Sequence, residues 1–205
     1  MKKDGGYVLI YVLVALTLLA VLVLTVNSAA LSNLKAQQAA VEDMQARYQA
    51  EGLLERLEAG LRGLAHEETD STEYENRDTA ETEGLAAAKD DFAARFRALC
   101  DGLRITATGN SWETPPDGAA YYPYTAEVTG RAEQMEAAAE LEIRVEIVVE
   151  TQSHTEPVEE PPPEGGEEQE TRTYYTYSYG FSVADVLYRA YDLVPVASES
   201  EEAAS

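Results

Sequence analysis

Two histidines, one cysteine and 38 carboxylates are the side chains through which this chain could do chemistry. His66 and His154 both lie in polar, acidic stretches. An imidazole acting as a general base needs a fixed neighbour and a concave site, and neither stretch reads as supplying one. Cys100 sits between Leu99 and Asp101 on a helical pattern, the setting of a core residue rather than a nucleophile. Being the sole cysteine, it rules out an intrachain disulfide and any paired-cysteine metal site. Acid pairs such as Asp90-Asp91 and Glu159-Glu160 carry little information in so acidic a chain. There is no Gly-x-Ser-x-Gly elbow, phosphate-binding Gly-x-x-x-x-Gly-Lys loop or His-Glu-x-x-His helix. The acidic run from His66 to Glu83 lacks the Asp-x-Asp-x-Asp-Gly spacing of an EF-hand. The expectation is a non-enzyme with no catalytic residue, cofactor or metal site.

The acids outnumber Lys plus Arg by 38 to 15 and leave a net charge of −23. Such a surface repels phosphate backbones and anionic headgroups, so no nucleic-acid partner is expected. The carboxylates read as a solvated face that favours solubility outside a membrane and draws cations towards it.

The elements that would position these groups begin with an apolar run. Tyr7 to Val26 contains no charged residue and is rich in Leu and Val. As a helix it would be about 30 Å long, the thickness of the bilayer hydrocarbon. Lys2 and Lys3 precede it, which keeps the amino terminus cytoplasmic and exports the bulk of the chain. Ser28-Ala29-Ala30 would serve as a signal-peptidase site. Against that, the run exceeds the roughly 7–15 residues of a signal-peptide core, and the helical pattern continues past Val26 without a break.

Lys2-Lys3-Asp4-Gly5-Gly6 followed by Tyr7-Val8-Leu9-Ile10 resembles the leader and mature start of a type IV prepilin. The resemblance implies cleavage by a prepilin peptidase between Gly6 and Tyr7, and methylation of Tyr7. That family usually carries Glu at the fifth mature position, where this chain has Tyr11. The departure is shared with several minor pilins and pseudopilins. Tyr48 to Glu55 is similar to an Ala-Glu-Ala-Gly-like stretch of some minor pilins. The implied partners are other pilin subunits, the assembly machinery, the peptidase and membrane lipid.

Beyond the span, residues 27–65 read as a continuing helix with one interrupted apolar stripe, carried by Leu34, Val41, Met44 and Tyr48 and resumed after a phase shift by Leu54, Leu57, Leu61 and Leu64. Residues 66–103 read as a solvated acidic loop followed by a short amphipathic helix from Leu85 to Leu103 carrying Phe92 and Phe96 inward. Residues 104–196 read as an antiparallel sheet of about four strands. The clearest strand is Glu140 to Glu150, where Leu141, Ile143, Val145, Ile147 and Val149 alternate with mostly charged residues. Residues 151–170, with Pro157, Pro161, Pro162, Pro163 and many acids, read as a loop. Thr171 to Val183 places Tyr175, Tyr177, Tyr179 and Phe181 on one face, either as half-buried sheet residues or as an aromatic contact surface. Residues 184–196 fit strand and helix equally, and 197–205 form an acidic tail.

The layout is α+β: a six-residue leader (1–6), a transmembrane helix (7–26) that extends into the ectodomain, and a small antiparallel sheet, in the order of the pilin fold. The expected function is a structural subunit of a pilus-like or type II secretion-like filament, membrane-held and extracytoplasmic, of the minor pilin or pseudopilin kind. The alternatives are an uncleaved single-pass protein with an extracytoplasmic binding domain, and a secreted protein cut near Ala30.

Overall fold

The computed structural model describes residues 5–132, 135–157 and 171–196, with side chains from residue 10 onward. The element order is α1 (Gly5–Arg62), β1 (Ala65–Tyr74), α2 (Arg77–Leu103), β2 (Ile105–Trp112), β3 (Tyr122–Ala132), β4 (Met135–Pro157) and β5 (Thr171–Pro195). Five antiparallel strands stand in the order β1-β5-β4-β3-β2, so the architecture is α+β as expected.

The chain divides into two compact units, Met1–Ala46 and Arg47–Ser205. In the first, α1 is apolar and unburied: Leu13, Leu16, Leu18, Leu22 and Leu24 are all exposed. This stretch is long and apolar enough to cross a membrane. Thr17 and Thr25 close their hydroxyls onto Val14 O and Leu22 O within the helix, each at 2.8 Å, so neither presents an unpaired donor outward.

In the second unit, the remainder of α1 and all of α2 cover one face of the sheet. Leu54, Leu57 and Leu61 of α1 are buried, meeting the spacing read from the sequence. The Gly130 backbone of β3 lies close under Leu53, and Gly60 lies under Leu99 of α2. The α2 helix starts eight residues ahead of the expected Leu85. Asn76 caps it by accepting a hydrogen bond from Asp78 N–H at 2.8 Å, and Asp78 adds a negative charge in the first turn. It stops at Arg104, whose left-handed φ of 58° returns a backbone N–H to the last turn. The buried line of α2 runs at every fourth residue through Ala80, Gly84, Ala88, Phe92, Phe96 and Cys100, with Leu85, Leu99 and Leu103 half-buried beside it. Phe92 is the centre of the core, meeting Trp112, Tyr124 and Phe181 at ring separations of 5.2–5.6 Å.

Strands β2 to β5 form a meander of successive hairpins, and β1 is added to the outer side of β5. Since β1 and β2 are consecutive but lie on opposite borders of the sheet, α2 crosses its inner face to join them. Pairing of β3 with β4 stops at Tyr122 opposite Val145. From Glu146 to Pro157, β4 is laddered to β5 alone among the described residues.

The structure revises several boundaries. The stretch read as an acidic loop from His66 to Glu83 is instead edge strand β1 and the first turns of α2. Residues 151–157, read as loop, continue β4, while 158–170 lie outside the described residues. Residues 184–196 continue β5 as strand through Pro195. The sheet therefore has five strands, not four.

Candidate functional site

The chemistry-bearing side chains gather along β1. In a strand, residues two apart share a face, so His66, Glu68 and Asp70 point together towards α2. Their partners on β5 are Phe181, Tyr179 and Tyr177 respectively. Each tyrosine donates its hydroxyl across the ladder: Tyr177 to Asp70 Oδ2 at 2.8 Å and Tyr179 to Glu68 Oε2 at 3.0 Å. Asp70 also accepts from the Thr72 N–H at 2.9 Å and from the Thr72 hydroxyl at 2.8 Å.

These bonds set the acidities. Hydrogen bonds from Thr72, then from Tyr177, hold the Asp70 carboxyl below its ordinary value. Those from Tyr179 and His66 do the same for Glu68. Burial, reinforced by the facing carboxylates, pushes the Tyr177 phenol well above its usual range and Tyr179 up to about 12. Tyr177 and Tyr179 are thus buried donors within the chain's own sheet, which removes them from the aromatic contact surface considered from the sequence.

Both histidines have fixed neighbours, contrary to the sequence reading. His66 Nε2 lies 3.3 Å from Glu68 Oε2 and 3.5 Å from Asp91 Oδ2 of α2. Its ring sits 6.0 Å from that of Phe181. Asp91 is held in turn by Arg95 Nε, 3.0 Å from Oδ1 and 3.1 Å from Oδ2. His154 on β4 lies 3.1 Å from Glu73 Oε1 of β1 and 3.9 Å from Glu156 Oε1. Each histidine therefore stands between two carboxylates, a donor set that sequence separation conceals, since Glu68 and Asp91 meet only when α2 lies over β1.

The opposite face of the sheet carries a second ionic cluster. Arg189 makes two parallel bonds to Glu113, each at 3.0 Å, and a third to Glu142 at 2.9 Å. Against the burial that opposes ionisation, the bonds from Arg144 and Arg189 keep the Glu142 carboxyl low. Cys100 is buried, and burial followed by the adjacent Asp101 charge pushes its thiol up to about 11. That is the inert thiol read from the sequence.

The residues singled out for processing lie in unit one. Gly6 and Tyr7 fall in the opening turns of α1, which begins at Gly5. Their side chains are outside the described residues. Tyr11, in the place of the usual Glu, is 73% exposed. No family model, no characterised protein and no solved structure matches this chain.

Proposed function

We propose that the chain is a structural subunit of a type IV pilus-like or type II secretion-like filament, of the minor pilin or pseudopilin kind. The carrying observation is α1 itself: one uninterrupted helix supplies both an unburied apolar stretch and the Leu54-Leu57-Leu61 stripe buried on the sheet unit. A subunit built this way is stored in the bilayer by its apolar stretch. In lipid the helix gains no hydrophobic advantage from one apolar neighbour over another, so assembly depends on close packing and polar contacts. With Tyr11 in place of the Glu that neighbouring pilins use for register, a terminal or initiating place suits the chain better than repeated stacking. The amino terminus faces the cytoplasm behind Lys2 and Lys3, and the sheet unit is extracytoplasmic.

Intact-mass measurement on chain recovered from membranes tests this reading. The expected mature terminus is Tyr7 bearing a methyl group, and its formation depends on a prepilin peptidase. An unchanged mass in cells lacking that enzyme overturns the proposal. The second reading, an uncleaved single-pass protein with a binding domain, is favoured by α1 running unbroken across the Gly6–Tyr7 junction; it predicts Met1 retained.

A further inference from the structure

We infer that His66, Glu68 and Asp91 form a binding site for a tetrahedrally coordinated divalent cation of the zinc type. The donor set is one imidazole nitrogen and two carboxylates, delivered by two separate elements whose packing fixes their approach. His66 and Glu68 are successive inward residues of β1, and Asp91 projects from the overlying turn of α2. All three ligand atoms lie within 4.8 Å of one another.

The spacing carries the argument. A charge-assisted N–H···O bond between imidazole and carboxylate closes to about 2.7–2.9 Å. His66 Nε2 instead stands 3.3 and 3.5 Å from its two oxygens. Around a zinc ion bound at about 2.0–2.2 Å, tetrahedral geometry sets neighbouring ligand atoms roughly 3.3–3.5 Å apart. The two separations from His66 are those of a coordination tetrahedron's edges, long for strong hydrogen bonds, and the third pair of ligand atoms lies within 4.8 Å. Both carboxylates are also held in place by groups outside the trio, whose bonds reach the same Glu68 Oε2 and Asp91 Oδ2 that face His66. Tyr179 donates to Glu68 at 3.0 Å, and Arg95 grips Asp91. Such outer contacts aim ligands in metal sites. Arg95 Nε bonds both oxygens of Asp91, at 3.0 and 3.1 Å, so when an ion takes Oδ2 the arginine keeps its hold through Oδ1. The exposed side of Glu68 leaves a fourth position for water.

The trio of Glu73, His154 and Glu156 supplies an internal contrast. Its distances of 3.1 and 3.9 Å are unequal, and its side chains are more exposed. It too holds an imidazole and two carboxylates but without the matched edges, and the inference does not extend to it.

The test is titration of the full chain in detergent micelles with zinc chloride, followed by calorimetry and thermal melting, with excess magnesium present to occupy the diffuse acidic surface. One zinc ion per chain and a raised melting temperature are expected, because an ion bound only by the folded state stabilises it. His66→Gln and Asp91→Asn should each weaken binding at least tenfold, and His154→Gln should leave it unchanged. Asp91→Asn retains the shape of the side chain, and the magnesium-only melting curve reports whether either variant is folded. Cobalt substituted for zinc should give the intense visible absorption of a tetrahedral ion. The inference is overturned if magnesium abolishes the zinc signal, if His66→Gln and Asp91→Asn titrate as the parent chain does, or if His154→Gln removes the site.

Discussion

Tyr177 and Asp70, with Tyr179 and Glu68, turn an acidic stretch into a strand. The aspartate and glutamate are held below their ordinary values of 3.8 and 4.5. A carboxyl whose acidity is strengthened by folding contributes stability above its unfolded value and loses it as the pH falls through the folded one. Melting temperatures recorded in chelator from pH 7 down to pH 3 should therefore fall on the acid side of about pH 4.5. Tyr177→Phe, which removes a donor and leaves the ring, should lower stability at pH 7 by about 1–2 kcal/mol. It should also flatten the acid limb; a limb as steep as the parent's would show that Asp70 does not contribute through this bond. Little of this was legible beforehand. Period-two burial is the signal for a strand, and β1 has none in apolar residues because its inward positions are His66, Glu68 and Asp70. A tyrosine on the next strand satisfies each carboxylate, but that pairing joins residues 107 and 111 positions apart, which no local pattern records. The inertness of Cys100, by contrast, followed from its place in a helical repeat.

Glycines separate the helix surfaces. A Cβ on Gly84 of α2 would stand 2.7 Å from Val149 Cγ1 and 3.0 Å from the Tyr177 ring, two groups with little room to move. Gly84→Val should cost about 1–3 kcal/mol in denaturant unfolding from overpacking. On α1, a Cβ at Gly52 meets nothing within 4 Å. Gly52→Ala should stabilise by about 0.5–1 kcal/mol through helix propensity and a less free unfolded chain. The reverse order of these two variants would contradict the packing of both helices. Element type was readable wherever one face was apolar in step, as in Leu141 to Val149 and in Leu54, Leu57 and Leu61. It failed over residues 184–196 for a geometric reason. Two extra residues, Ala184 and Arg189, bulge out of β5 opposite an unbroken β4. They stretch the inward series to Val183, Val186, Tyr188, Tyr191 and Leu193, whose spacings of three and two imitate a helix as well as a strand. The second bulge is also the residue that gathers Glu113 and Glu142, so the irregularity places a charge.

For the molecule as a whole, the decisive property is the unburied apolar stretch at its amino-terminal end. Leu18 is 66% exposed there. Leu18→Arg should reduce the membrane-bound fraction after alkaline extraction, an arginine at mid-helix costing about 2.5–3.5 kcal/mol on insertion. Equal retention of parent and variant would argue against insertion by this segment. Its length and lack of charge were plain from the residues alone, as was the α+β order. The number of strands was not, since β1 is edge-paired and written in acids.

The place where β3 gives out opposite Val145 has a further consequence. From Glu146 onward β4 has no second strand partner among the described residues and carries a stretch, Ile147-Val148-Val149, well suited to recruiting foreign chain. Val148 is 60% exposed at this border. The carboxylates of Glu146, Glu150 and Glu156 punctuate it. Two such borders brought together would set like charges side by side, so each molecule carries its own deterrent against fibrous clumping. Wherever the chain is concentrated, these glutamates act as gatekeepers.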